Sequence, residues 1–506
     1  MRGALLVCGT HSDAGKSLVT AGICRWLHRA GVRVAPFKAQ NMALNSVVAP
    51  DGSEVGRSQA VQAAAAGLEP EAAMNPVLIK PSGERHSQVV VMGRPYADAD
   101  ARSYQDLKHE LRPVVAEALA DLRTRYDVVI CEGAGSPAEV NLRDGDLANM
   151  GLARSAGLPA LVVADIDRGG VLASLFGTLA LLEPDDQAHV AGFAINKFRG
   201  DASILEPGLA RLEELTARPT LGVLPWVEDL WMDVEDSLAL EARRPEAPAL
   251  GSTLDVAVVR LRWMSNFTDL DALAAEPGVR VRFTRSAADV ERADLVVLPG
   301  TKATVEDLER LRDGGLDRAL ARRVEAGGAV LGICGGYQLL GERIVDEVES
   351  GRGQVEGLGL LPVTTEFGRE KVLRRRSGRC AWLDTGASGY EIRHGRVTRH
   401  GGESLLEAGG EPDGCRLGPV LGTSWHGALE HDAFRRALLV RLAAERGRSF
   451  VPGDASFAGA REARLDVLGD LIAGHLDTDK LAELIEHGPP AGLPDVRTEV
   501  RTCFAS

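Results

Sequence analysis

At 506 residues the chain exceeds what one ordinary hydrophobic core serves, so two or three domains are expected. A formal net charge of −14 argues against a nucleic-acid backbone as partner, and aromatic residues at 4% argue against a stacking platform for single strands. Seven cysteines without any C-x-x-C spacing point to reduced thiols, and no apolar run reaches bilayer length, so a cytoplasmic protein with no membrane partner is expected.

The chain opens with Ala4-Leu5-Leu6-Val7, a run of strand length, followed by Cys8-Gly9-Thr10-His11-Ser12-Asp13-Ala14-Gly15-Lys16-Ser17. Val19, Ile23 and Leu27 then recur at helical spacing as far as Ala30-Gly31. A Gly-rich turn between a strand and a helix N-terminus aims backbone N–H groups and the positive helix end at one spot, which suits phosphate. This predicts an ATP site made by Gly9, Thr10, Asp13, Ala14, Gly15, Lys16 and Ser17. Lys16 would reach the β- and γ-phosphates, and the Ser17 hydroxyl would ligate Mg²⁺. Gly9 and Gly15 enclose five residues, where the common P-loop has four; the longer loop resembles that of the dethiobiotin synthetases.

Val32–Phe37 reads as a second strand, and it runs into polar residues, Lys38, Gln40 and Asn41 among them. The C-terminal ends of strands in open α/β sheets are where ligands bind, although a solvated loop fits the pattern equally. Residues 56–66 read as helix. Tyr126–Ile130 is a further strand, and Glu132 just beyond its end is placed to hold Mg²⁺ beside Ser17; the alternative is a carboxylate in a tight turn. Strands at Ala160–Ala164, Val190–Ile195 and Thr220–Leu224 follow. Asn196-Lys197 after the second of these resembles a base-recognition loop in which the Asn amide reads a purine edge. Strands alternating with helices predict a mostly parallel, doubly wound α/β domain over residues 1–235. Residues 236–253 are charged, rich in Ala and Pro and without periodicity, as in a linker.

Periodicity restarts at Leu254–Val259 and Leu295–Leu298, the latter turning at Pro299-Gly300-Thr301-Lys302. Residues 329–341 give a strand, then G-x-C-x-G around Cys334, then a helix, which is the layout of a nucleophile elbow with Cys for Ser. A cysteine at a helix N-terminus is biased toward thiolate, its reactive form. The N–H of Gly335 and one from the Gly300 turn are the candidate oxyanion donors. His426, after a strand-like run, is the candidate base, with His431 and His394 as weaker alternatives. This second α/β domain is expected over 254–445, and the remainder, 446–506, reads as a helical tail without chemistry.

Together the segments 36–46, 74–81, 132–142, 164–178, 196–201, 332–341 and 389–396 resemble the glutamine-dependent adenosylcobyric acid synthases of cobalamin biosynthesis. The sister amidases of the a and c side chains share the layout but differ after the P-loop helix and near the acidic strand tip. The resemblance implies a class I (triad-type) glutamine amidotransferase domain behind an ATP-dependent amide synthetase domain. It implies ATP and Mg²⁺, no tightly bound cofactor, and a cobalt corrinoid as substrate. Side chains b, d, e and g would be amidated through acyl phosphates, with Lys38 facing the acyl phosphate and Cys334 forming a glutamine thioester. A ligase for another polyacid, or a P-loop switch without acyl chemistry, are the other readings. One departure stands out: class I triads carry a Glu two residues after the His, and here that position is Ala428. Glu430 is the nearest carboxylate, so a Cys–His dyad or a differently placed orienting group is expected.

Overall fold

The computed structural model describes residues 1–83, 86–228, 230 and 253–497. The expected linker 236–253 therefore lies outside the described residues, apart from Thr253. In the first domain six strands form one parallel sheet in the order Thr220–Pro225, Val190–Phe198, Ala160–Asp165, Gly3–Gly9, Val128–Glu132, Val34–Phe37. Its central strands are buried along nearly their whole length, as strands covered on both faces must be. One face is covered by helices that include Ala101–Arg125, Val171–Leu181 and Glu206–Thr216.

The other face is covered by Lys16–Arg29 and Arg57–Ala65 together with two helices from the far end of the chain, Phe457–His475 and Thr478–His487. The tail thus returns to the first domain. The fit is close: a Cβ on Gly22 would lie 2.7 Å from Ile472 Cγ1 and 2.9 Å from the Leu468 carbonyl oxygen. At the rim Arg25 pairs with Asp466 and Glu462, and Arg29 with Asp470.

Between the second strand and the helix Ala101–Arg125 the chain adds a four-stranded sheet, Gln40–Met42, Val77–Pro81, Ser87–Val91 and Arg94–Ala99, and a small hairpin, Ser46–Val48 with Glu54–Gly56. The second domain has its own sheet, ordered Val279–Thr284, Leu254–Val259, Leu295–Leu298, Ala329–Ile333, Val420–Thr423, Cys415–Leu417; only the last pairing is antiparallel. A long antiparallel pair, Val363–Cys380 and Thr385–Arg399, extends from it toward the first domain. There Tyr390 and Ile392 join Val47, Val48, Ala49 and Val55 of the small hairpin in one buried cluster. Among the described residues no helix is long and apolar enough to cross a membrane.

Candidate active sites

The five residues of strand Ala329–Ile333 are all buried, and they deliver Cys334 with φ 49° and ψ −107° ahead of the helix Gly335–Leu340. That left-handed backbone is strained for a residue with a Cβ, and strain of this kind lifts a nucleophile out of a strand-to-helix turn. The flanking glycines are required by space. A Cβ on Gly336 would sit 1.9 Å from the Leu298 carbonyl oxygen, and one on Gly332 would sit 2.7 Å from that of Gly336. Cys334 Sγ lies 3.6 Å from the Ile392 carbonyl oxygen of the neighbouring hairpin.

His426 follows the buried strand Val420–Thr423, and its imidazole is close enough to the Cys334 sulfur to feel its charge. Its Nδ1–H donates to Asp269 Oδ2 at 2.7 Å, while Asp269 Oδ1 accepts the Gly427 N–H, also at 2.7 Å. Burial disfavours charge on this imidazole, but the Asp269 carboxylate and the Cys334 sulfur outweigh it and push His426 up to about 10. Asp269 itself sits in the 3₁₀ turn Phe267–Leu270, after the strand Leu254–Val259. Cys334, His426 and Asp269 are thus arranged as a triad: of the two expected alternatives, a Cys–His dyad or a differently placed orienting group, the geometry is that of the second. The sequence carried a faint signal in the polar cluster Ser265-Asn266-Phe267-Thr268-Asp269 beyond a parallel strand's C-terminal end.

Glu430, the nearest carboxylate in sequence, faces elsewhere: it accepts from Arg57 Nη2 at 2.6 Å and from Arg461 Nη1 at 3.1 Å. His431 caps the helix Asp432–Glu445, and His394 is bonded to Gln88 and the Gly368 carbonyl, so neither alternative base is at the elbow. The turn at Gly300 does reach it. A Cβ on Gly300 would lie 2.7 Å from His426 Cε1, and one on Gly335 would lie 2.7 Å from the Thr301 nitrogen. The first helical N–H groups after Cys334 have no intrahelical acceptor, which leaves them for a ligand.

In the first domain Gly15 precedes the helix Lys16–Arg29 at φ 103°, and a Cβ there would lie 2.0 Å from Asn196 Nδ2. Lys16 Nζ donates to the carbonyls of His11 and Gly135, both at 3.0 Å, and so spans the mouth of the loop. Ser17 Oγ donates to Glu132 Oε1 at 2.8 Å; Lys38 Nζ lies 2.9 Å from the same oxygen, and Gln62 Nε2 donates to Oε2. Lys16, Ser17, Lys38 and Glu132 open on a cavity of about 650 Å³ that Asp13, Gln40, Asn41 and Asn196 also line.

The loop's own members are held from behind. Thr10 N–H donates to the Val163 carbonyl, and Gly9 has room for no Cβ beside the Lys16 side chain. Ala14 offers its carbonyl to Asn196 Nδ2 at 3.1 Å. The Asn196 amide, expected at a purine edge, thus has one donor committed to the P-loop. Gln40 accepts from the Tyr104 hydroxyl at 2.6 Å, and Asn41 donates to Gln59 at 2.8 Å. Lys197 Nζ joins Asp165 at 2.8 Å to the Asp13 carbonyl at 2.9 Å.

The fold and the two sites together define a glutamine amidotransferase joined to a P-loop nucleotide-binding domain. Residues 255–434 match the CobB/CobQ-like glutamine amidotransferase domain, and residues 5–239 match the CobQ/CobB/MinD/ParA nucleotide binding domain. A cobyric acid synthase of Frankia casuarinae is 59% identical over 98% of this chain and 99% of its own. Another, of Streptomyces coelicolor, is 59% identical over 98% of each chain, and one of Mycolicibacterium paratuberculosis is 54% identical over 99% and 100%. The chain belongs to the cobyric acid synthase family.

Proposed function

We propose that this protein is an ATP- and glutamine-dependent ligase that amidates the b, d, e and g carboxylates of adenosylcobyrinic acid a,c-diamide, giving adenosylcobyric acid. The observation that carries the reading is the pairing, in one chain, of the Cys334–His426–Asp269 constellation with a P-loop whose Ser17 is hydrogen-bonded to Glu132 at the end of a neighbouring strand. The family relatives supply the substrate class.

In the glutaminase half, the Cys334 thiolate attacks the glutamine amide carbon, and the oxyanion is received by the N–H groups of Gly300 and Gly335. His426, protonated at Nε2 and held at Nδ1 by Asp269, gives its proton to the departing ammonia. Water then hydrolyses the thioester, returning glutamate and the free thiol.

In the synthetase half, the P-loop N–H groups and Lys16 hold the phosphates of ATP, and a substrate carboxylate attacks the γ-phosphorus to give an acyl phosphate and ADP. Ammonia displaces the phosphate. The donor set fits Mg²⁺: Ser17 Oγ and Glu132 offer two hard oxygens side by side at the cavity, and such sites take the remaining ligands from phosphates and water. Bound there, the ion would neutralise phosphate charge. Lys38, buried against Glu132, is a cation beside that point and is assigned to the acyl phosphate.

The test is amidation of the corrinoid with nitrogen-labelled glutamine. Label entering the corrinoid only when ATP and Mg²⁺ are present supports the reading. Hydrolysis of glutamine with no labelled corrinoid overturns it.

A further inference from the structure

Three stretches that stand out in the sequence, 36–46, 74–81 and 389–396, meet at the buried seam between the domains. Ser46 ends the first of them. Its hydroxyl donates to Glu54 Oε1 and accepts from Lys80 Nζ, both at 2.8 Å. Lys80 also lies 2.6 Å from Glu54 Oε1, and Lys371 from the glutaminase hairpin lies 2.6 Å from Oε2. Lys371 donates as well to Gln88, which is bonded to His394.

All three ionised side chains are at most 3% exposed. A buried ion cluster is a poor source of stability, since desolvation opposes the attraction, but it fixes geometry tightly. Here it fixes where the Ser46 backbone points. The Ser46 N–H donates to Asn266 Oδ1 at 2.8 Å, across the domain boundary.

Asn266 stands at the entry to the turn that carries the triad acid. It adopts φ 51°, a left-handed conformation, and its carbonyl accepts the Asp269 N–H at 3.0 Å. One residue is therefore held by the synthetase domain through its side chain and holds the Asp269 turn through its backbone. The synthetase side of this contact leads on to the nucleotide site: strand Val77–Pro81, which bears Lys80, pairs with Gln40–Met42, just beyond the Lys38 that binds Glu132.

We propose that Asn266 is a positioning residue through which the synthetase domain sets the glutaminase triad, so that Asp269 meets His426 correctly only while Ser46 engages Asn266. This rests on the assignment of Cys334 and His426 as the glutaminase. A catalytic carboxylate misplaced by about 1 Å can cost on the order of a hundredfold in rate.

The experiment uses the full-length enzyme and two variants. Asn266→Gly keeps a residue at ease in the left-handed region but removes the acceptor; Asn266→Asp keeps an acceptor oxygen and tolerates the same backbone. Glutamine hydrolysis should fall about ten- to a hundredfold in kcat for Asn266→Gly, with KM little changed and the alkaline limb of the pH profile moved down. Asn266→Asp should recover most of the rate. Amidation driven by ammonium salt should be equal in all three proteins. Wild-type glutamine turnover in Asn266→Gly overturns the proposal, as does an equal loss of ammonia-driven amidation, which would make Asn266 merely structural. Should the wild type hydrolyse glutamine but amidate no corrinoid with ammonia, the proposed substrate is wrong, and the hydrolysis readout still decides the role of Asn266.

Discussion

Asp269 Oδ2 lies 2.7 Å from His426 Nδ1 although 157 residues separate them in sequence. They meet because Asp269 follows the strand Leu254–Val259, His426 follows Val420–Thr423, and both strands run parallel with the elbow strand. The three side chains of the proposed triad therefore gather at the carboxyl edge of one sheet, where parallel α/β folds place their ligands.

The first prediction follows from that pair. Asp269→Asn keeps the shape but removes the charge that fixes the tautomer and stabilises the imidazolium. Glutaminase kcat should fall by roughly 10⁴-fold, the size of the loss when a serine-protease triad loses its acid. The sign of the pH effect is set by His426, raised from 6.5 to about 10 in the folded protein. Its contribution to stability is fully present below pH 6.5 and is lost as pH rises toward 10. In the variant the alkaline limb of kcat/KM should move toward neutrality; a limb that stays in place would detach Asp269 from His426 titration.

The two half-reactions should separate at Cys334. Cys334→Ala removes the thioester-forming atom while leaving the synthetase cavity, lined by residues of the first domain and by Leu471 of the returning tail, untouched. Glutamine-dependent amidation should vanish, and amidation with ammonium salt should persist at near wild-type rate. Steady-state assays with each nitrogen source check this, and loss of both activities in a folded variant would contradict the two-site scheme.

Most of the parallel framework was legible because buried strands read as short apolar runs and each site sits at a strand end with glycines or small residues. Thus Ala4–Val7, Ala160–Ala164 and the run before Cys334 were found within a few residues of their observed bounds. The long hairpin Val363–Cys380 with Thr385–Arg399 gave no such signal. It is Arg-rich, and its charges are satisfied only in three dimensions, where Arg374, Arg376 and Arg393 converge on Glu391. Asp269 was missed for a related reason: nothing in a one-dimensional pattern distinguishes it from Asp271, two residues on, and only the turn after Asn266 aims one of them at His426.

Lys16→Ala should abolish amidation with either nitrogen donor, because acyl phosphate formation precedes nitrogen transfer in both routes. Losing a preorganised charge at a developing phosphoryl transition state costs several kcal/mol, a thousandfold or more in rate. Glutamine hydrolysis by Cys334 in the absence of ATP should continue. An ammonia-driven rate at half the wild-type value would remove Lys16 from the phosphate site.

Glu430 gives the sharpest contrast between sequence proximity and spatial role. It lies four residues from His426, yet its carboxylate joins Arg57 of the first domain to Arg461 of the returning tail, at 2.6 and 3.1 Å. Arg57 is only 5% exposed, so Glu430→Gln leaves a buried guanidinium with one charge partner fewer. Removing a partner from a buried or half-buried pair costs about 1–3 kcal/mol, so the melting temperature should fall. Glutaminase turnover at a temperature where the variant is folded should fall less than about tenfold, against several orders of magnitude for His426→Ala. The stability loss should shrink at high salt, because Glu430 is partly exposed and its pairing with Arg461 is open to screening. Equal losses of turnover in Glu430→Gln and His426→Ala would return Glu430 to the catalytic machinery and displace Asp269 from it.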